Sequence, residues 1–168
     1  MLARFRHSPD TTRGLRFNGP VADIRRTRTM AAGPQAIWDV LSDFGAISSW
    51  ARTVDHSCLL EHGAEPGLGM SRRIQVGRDT LVERVVEFSP PDTLGYDIEG
   101  LPRRLAATNR WTLVPIGGDR TEVTLTSTVR VGANPLATLV ERAVCRLVAR
   151  QSDAMLAGLA QRVESSHV

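Results

Sequence analysis

Four side chains in this chain have types and spacing that could do chemistry in one place: Arg72, Glu83, Tyr96 and Gln151. Arg72 and Glu83 fall on two alternating runs, Met70–Val76 and Thr80–Phe88, joined by Gly77-Arg78-Asp79, a hairpin signal. A short turn centred on Arg78 and Asp79 pairs Val76 with Leu81 and Ile74 with Glu83. One face then carries Arg72, Ile74, Val76, Leu81, Glu83 and Val85, and the other Arg73, Gln75, Val82, Arg84 and Val86. The first face is more apolar and should turn inward. Arg72 then lies diagonal to Glu83, within reach across the strands. Such a pair is either a salt bridge that only blunts the cost of burying charge, or a functional pair beside a cavity wall. The same alternation turns Tyr96 and Ile98 inward. The Tyr96 hydroxyl either meets a ligand or Glu83, or is a core phenol with its hydroxyl satisfied.

Gln151 is the polar member of an apolar helical stripe formed by Val140, Val144, Leu147, Val148, Met155 and Leu159. A buried amide without a partner costs about 1–3 kcal/mol. Gln151 is therefore expected to face a ligand, water or a polar sheet residue such as Glu83. The alternative is a slight rotation of the helix that brings it to the solvent edge.

Other chemistry is thin. His7 and His167 are in the tails, His62 is in a loop, and His56 reads as an exposed strand residue. Cys58 and Cys145 fit no metal or redox spacing and read as two buried thiols in a reducing compartment. No metal spacing, nucleophile elbow, phosphate loop or dinucleotide motif is present, so neither metal nor cofactor is expected. All 21 basic residues are Arg. Their exclusive use reads mainly as coding bias, but it removes Schiff-base chemistry on a lysine.

The elements that position these residues follow from composition and period. At 168 residues one domain is expected. The net charge of +3 is uneven: residues 1–28 hold seven Arg against Asp10 and Asp23, and the remainder holds 14 Arg against 16 acids. The body is near neutral, so no nucleic-acid footprint is expected. No run approaches a membrane span, and no secretory signal is read, which leaves the cytoplasm by default. Residues 1–19 read as a flexible basic tail and 20–168 as the folded domain. Val21–Ala31 reads as a strand and Gly33-Pro34 opens a helix whose apolar face is Ile37, Trp38, Leu41 and Phe44. Ile47–Trp50 makes a second short helix. Strands follow at Val54–Leu60, Met70–Val76, Thr80–Phe88, Leu94–Glu99, Ala106–Val114 and Arg120–Val131, and Pro135 begins a long last helix. Short turns imply an antiparallel sheet, and the long helix must bury its stripe against it. The order is β-α-α-β6-α, an α+β fold with about seven strands. On the last two strands, patterning turns Trp111, Leu113, Val123 and Leu125 inward.

Six motifs in order carry a resemblance. They are Ile37-Trp-Asp-Val-Leu-Ser-Asp-Phe44, Trp50, Gly67-Leu-Gly-Met-Ser-Arg72, Leu81-Val-Glu-Arg84, Gly95-Tyr-Asp-Ile98 and Asp119-Arg-Thr-Glu-Val-Thr124. Over residues 21–163 the chain resembles the START-like superfamily, also called SRPBCC or polyketide cyclase/dehydrase, which has the helix-grip fold. The resemblance implies a curved sheet wrapped around the last helix, with a ligand cavity between. It places Trp50 at the cavity edge, and Arg72 and Glu83 toward the pocket. An ungapped match to the hormone-receptor branch turns Arg110, Thr112, Thr124 and Thr126 inward instead, so the two faces stay open. The receptor branch anchors its ligand on a lysine; the matching position is close to Asp55, and the gate motif is missing after Val76. Abscisic-acid binding in that manner is not expected.

Two functions follow, beside a third reading in which the chain is an interaction module with a vestigial cavity. The first is a carrier of a hydrophobic lipid, polyketide or isoprenoid, as monomer or homodimer, contacted by Trp50, Arg72, Ile74, Glu83, Tyr96, Ile98, Trp111, Leu147, Gln151 and Met155. The second resembles the aromatase/cyclases of that superfamily. Arg72 would then stabilise an enolate oxygen while Glu83 or Tyr96 moves protons. No residue is marked as a base, which favours the carrier.

Overall fold

The computed structural model describes residues 21–63, 67–103, 105–132 and 137–165. The segment expected as a tail, 1–19, lies outside them. Strand β1 spans Val21–Met30, helix α1 Pro34–Ser42, and a 3-10 helix Phe44–Ser49. Then come β2 (His56–Glu61), β3 (Ser71–Val76), β4 (Asp79–Ser89), β5 (Thr93–Glu99), β6 (Leu105–Pro115), β7 (Thr121–Val131) and α2 (Ala137–Ser165). The seven strands form one antiparallel sheet in the order β1-β7-β6-β5-β4-β3-β2. From β2 to β7 each strand pairs with the next, and β1 pairs with β7 (Ala22 opposite Val129). Helix α2 packs on β1, β7 and α1, so the helix-grip arrangement is the observed one.

Alternation decides the two faces. On β6 and β7, Trp111, Leu113, Val123 and Leu125 are buried. Arg110 points out and donates from Nε and Nη2 to the two carboxylate oxygens of Glu87 at 2.7 and 2.8 Å. That resolves the open pair of faces in favour of patterning: turning Arg110, Thr112, Thr124 and Thr126 inward would bury a guanidinium in place of an indole.

Three expectations are corrected. The β3–β4 register is shifted by two residues: Arg72 faces Glu83 directly and Ile74 faces Leu81, with Val76 opposite Asp79. The turn is the two-residue Gly77-Arg78, and Gly77 has φ 60°, which suits glycine at the first central position of a type II′ hairpin. A shift of two keeps every side chain on its face. Second, Cys58 is exposed and Cys145 half-buried, both free. Strand β2 is an edge strand, and Cys58 sits on its open side. Third, Leu147 is 69% exposed rather than buried on the α2 stripe. The row that meets the sheet runs instead through Val144, Cys145, Val148 and Ala149, which pack with Ile24 and Val129. It continues through Ser152, Met155, Leu156, Leu159, Ala160 and Val163. Leu147 and Gln151 form the flanking row, four residues apart. The side chain of Val140 lies outside the described residues.

Candidate functional site

A cavity of about 690 Å³ lies between the inner face of the sheet and α2. Its rim is made by Asp79 and Thr80 after the β3–β4 turn, by Leu101, Pro102 and Arg103 after β5, and by Leu147. Most of these rim residues are exposed, whereas the residues farther in are buried or half-buried, so the space opens at one end. Ile47, Val54, Ile74, Ile98, Val129 and Met155 supply apolar wall.

The polar wall comes from alternation on three strands. Glu83 faces in from β4, Asn109 from β6 and Ser127 from β7, and Ser152 closes the set from α2. Cross-strand pairing sets them in rows: Glu83 is opposite Ile98, while Tyr96 is opposite Asn109, which is opposite Ser127. These two rows are separated by two residues along each strand, about 7 Å. All four polar side chains belong to residues at most 9% exposed.

The hydrogen bonds of Asn109, Ser127 and Ser152 form one chain. Ser127 Oγ donates to Asn109 Oδ1 at 2.7 Å, and Asn109 Nδ2 donates to the Tyr96 hydroxyl at 3.3 Å. Trp111 Nε1 donates to the same hydroxyl at 3.4 Å. Ser127 and Ser152 hydroxyls are 3.2 Å apart, and Ser152 Oγ also donates to Val148 O at 2.9 Å. Burial, and after it the charge of Glu83, push the Tyr96 phenol up to about 12. It therefore keeps its proton at neutral pH.

Arg72 stands behind Glu83. Its Nε donates to Glu83 Oε2 at 2.5 Å, and its Nη1 donates to Phe44 O at 2.8 Å. The Phe44 ring centroid lies 3.9 Å from the guanidinium carbon and the Tyr96 centroid 5.0 Å. Both residues of the pair are 3% exposed. The carboxylate lines the cavity and the guanidinium does not. Each group needs the other: an isolated buried charge would be far costlier than the paired one.

Of the residues singled out from the sequence, Ile74, Glu83, Ile98, Leu147, Gln151 and Met155 line this cavity. Trp50, Arg72, Tyr96 and Trp111 are buried but do not line it. Trp50 meets Trp111 edge-on at 6.2 Å, and it lines a separate groove of about 300 Å³ beside the C-terminal half of α2. Its Nε1 is buried and, among the described residues, has no hydrogen-bond partner. Gln151 donates from Nε2 to Thr53 Oγ1 at 2.6 Å, so the amide partner is a loop hydroxyl rather than Glu83. Asn109, Ser127 and Ser152 were missed by sequence reasoning. The signal for the first two was present: both share parity with Trp111 and Leu125. Among the described residues no cluster of His, Cys, Asp and Glu suits a metal ion.

The model of the family described as polyketide cyclase/dehydrase and lipid transport matches residues 21–164. No curated protein matches the chain. Among solved structures, the Zhui aromatase/cyclase from Streptomyces sp. R1128 is similar with a TM-score of 0.73 and 19% identity, over 86% of this chain and 94% of that one. A START superfamily protein from Mycobacterium smegmatis gives 0.70 and 19%, over 85% and 97%. A protein from Thermobifida fusca gives 0.67 and 26%, over 84% and 92%. At 19% identity the first two likenesses show the fold alone. Among the described residues no helix is long and apolar enough to cross a membrane.

Proposed function

We propose that this chain, which belongs to the polyketide cyclase/dehydrase and lipid transport family, binds a hydrophobic small molecule of lipid, polyketide or isoprenoid type between its sheet and α2. One observation carries this reading: the cavity of about 690 Å³ has largely apolar walls and a small set of buried polar groups. Protein interiors are normally close-packed, with few voids larger than a water molecule. A space of several hundred Å³ with few polar groups is the pattern of a small-molecule site. The test is native mass spectrometry of protein purified from its own host, followed by titration of the delipidated protein with the hydrocarbon probe 1,6-diphenylhexatriene. A co-purified organic molecule and saturable probe binding are expected. Protein that carries nothing and leaves the probe dark would sink the proposal.

The position of Glu83 on the wall supports a second reading, turnover of a reactive chain with Glu83 as proton acceptor. Two features argue against it. Arg72, the candidate for stabilising an enolate oxygen, is held by Glu83, Phe44 O and two aromatic rings and does not reach the wall. Tyr96, with its phenol pushed up to about 12, is no base at neutral pH. The carrier is the better supported of the two.

A further inference from the structure

We infer that the cavity selects a neutral amphiphile that enters head-first with a hydrogen-bond-donating head, a hydroxyl above all, and rejects carboxylates of the same length. This rests on the binding function proposed above and adds the class of ligand and its orientation. The cavity is graded along its length. At its mouth Leu101, Pro102 and the exposed Leu147 stand beside the water-facing Asp79, Thr80 and Arg103, while Asn109, Ser127 and Ser152 lie buried farther in. The polar groups at the mouth keep their water, whereas the acceptors inside are met only by what enters the cavity, so a polar head gains most by pointing inward.

The chemistry of that head follows from proton bookkeeping on the inner wall. Glu83 offers a carboxylate, which only accepts when ionised. The Ser127 proton goes to Asn109 Oδ1, and that of Ser152 to Val148 O or Ser127, leaving lone pairs on both hydroxyls. The Asn109 carbonyl is taken by Ser127, and one amide proton by the Tyr96 hydroxyl. The inner wall is thus rich in acceptors and has few free donors.

Charge points the same way. Of the described ionisable residues that line the cavity, Asp79 and Arg103 are at the exposed rim, and Glu83 alone is buried. The cation that balances Glu83 sits on its far side and does not reach the wall. Among the described residues, a ligand carboxylate at that depth would therefore lose its hydration next to a carboxylate, with Arg103 out at the rim and Arg72 held by Glu83. A hydroxyl of the same reach donates to Glu83 or to Ser152 without that penalty.

The test titrates delipidated protein, loaded with 1,6-diphenylhexatriene, with 1-dodecanol and with dodecanoate, at a pH where dodecanoate is ionised. Dodecanol should displace the probe at least about ten-fold more tightly. Equal affinities, or a preference for dodecanoate, overturn the inference. So does a protein that binds the probe but releases it to neither amphiphile, which leaves the cavity proposal standing. A protein that binds no probe overturns the cavity proposal and this inference with it. Glu83→Gln supplies the second measurement, because it removes the repelling charge and frees that of Arg72. The preference should then invert toward dodecanoate; a folded variant, checked by circular dichroism, that still prefers the alcohol shows that Glu83 does not set it. The comparison on the unaltered protein decides the matter even if the variant does not fold.

Discussion

Gly158 of α2 lies against the backbone carbonyl of Trp50: a Cβ at Gly158 would sit 2.2 Å from Trp50 O and 3.6 Å from Ala51 Cα. The contact joins the C-terminal half of α2 to the end of the 3-10 helix, on the side of the fold away from the cavity mouth. The obstacle is backbone, which cannot swing aside as a side chain would. In a free helix, glycine to alanine gains about 1 kcal/mol. Here the clash outweighs it. Gly158→Ala should lose about 2 kcal/mol net, or about 4–8 °C in melting temperature for a chain of this size. Differential scanning calorimetry reads the shift, and a variant that melts higher than the parent would show that α2 can move off Trp50 freely.

The Arg72–Glu83 pair should behave as a unit. Arg72→Met leaves a buried carboxylate without its cation, and should cost about 3–5 kcal/mol. Adding Glu83→Leu removes the stranded charge, and the double variant should return to within about 1 kcal/mol of the parent. Urea denaturation of the parent, both single variants and the double variant gives the coupling. Additive losses would mean that the two groups are not energetically paired.

Tyr96 sets an alkaline limit to stability. Burial raises its phenol from the ordinary 10.0 to about 12, so the folded state holds the proton more tightly than the unfolded chain does. The stabilisation is complete below the unfolded value near 10, and is lost as pH rises through about 12. The chain has one tyrosine, so phenolate absorbance reports this residue alone. Ionisation should begin only as the fold opens between those two pH values. Tyr96→Phe should flatten the alkaline loss of stability. At neutral pH it should cost about 1–3 kcal/mol, because Asn109 Nδ2 and Trp111 Nε1 lose their acceptor. An absorbance midpoint near 10 in folded protein would contradict the burial.

Filling the cavity should separate binding from folding. Ala107 lines it, half-buried and flanked across the strands by Ile98 and Val129. Ala107→Trp puts an indole into space that is already empty, so the fold should hold. The melting temperature should stay within a few degrees of the parent, while affinity for 1,6-diphenylhexatriene falls at least about ten-fold. Unchanged probe affinity in a folded variant would move the binding site elsewhere.

Much of the site is written in local pattern, and the rest is not. Side-chain parity along a strand is a property of the backbone, with period two whatever the neighbours. Alternation alone therefore turns Arg72, Glu83, Tyr96 and Trp111 to the same face, and a hairpin register wrong by two residues leaves every one of them there. The same parity places Asn109 and Ser127 inward, though a polar residue on a core face is easily passed over beside its aromatic neighbours. The order of elements is equally local, since turn residues such as Gly77 and helix starts such as Pro34 act on their own neighbours. What tertiary structure decided is everything summed over distant contacts. Rotation of α2 about its axis sends Leu147 to the rim and Val148 to the sheet, through packing with Ile24 and Val129. Gln151 finds Thr53, 98 positions away in the chain. How closely α2 meets the end of the 3-10 helix depends on Gly158, and the charge on the cavity wall depends on the pairing that puts Glu83 between Arg72 and the open space. No window of sequence holds both ends of these distances, because each is set only when helix and sheet meet.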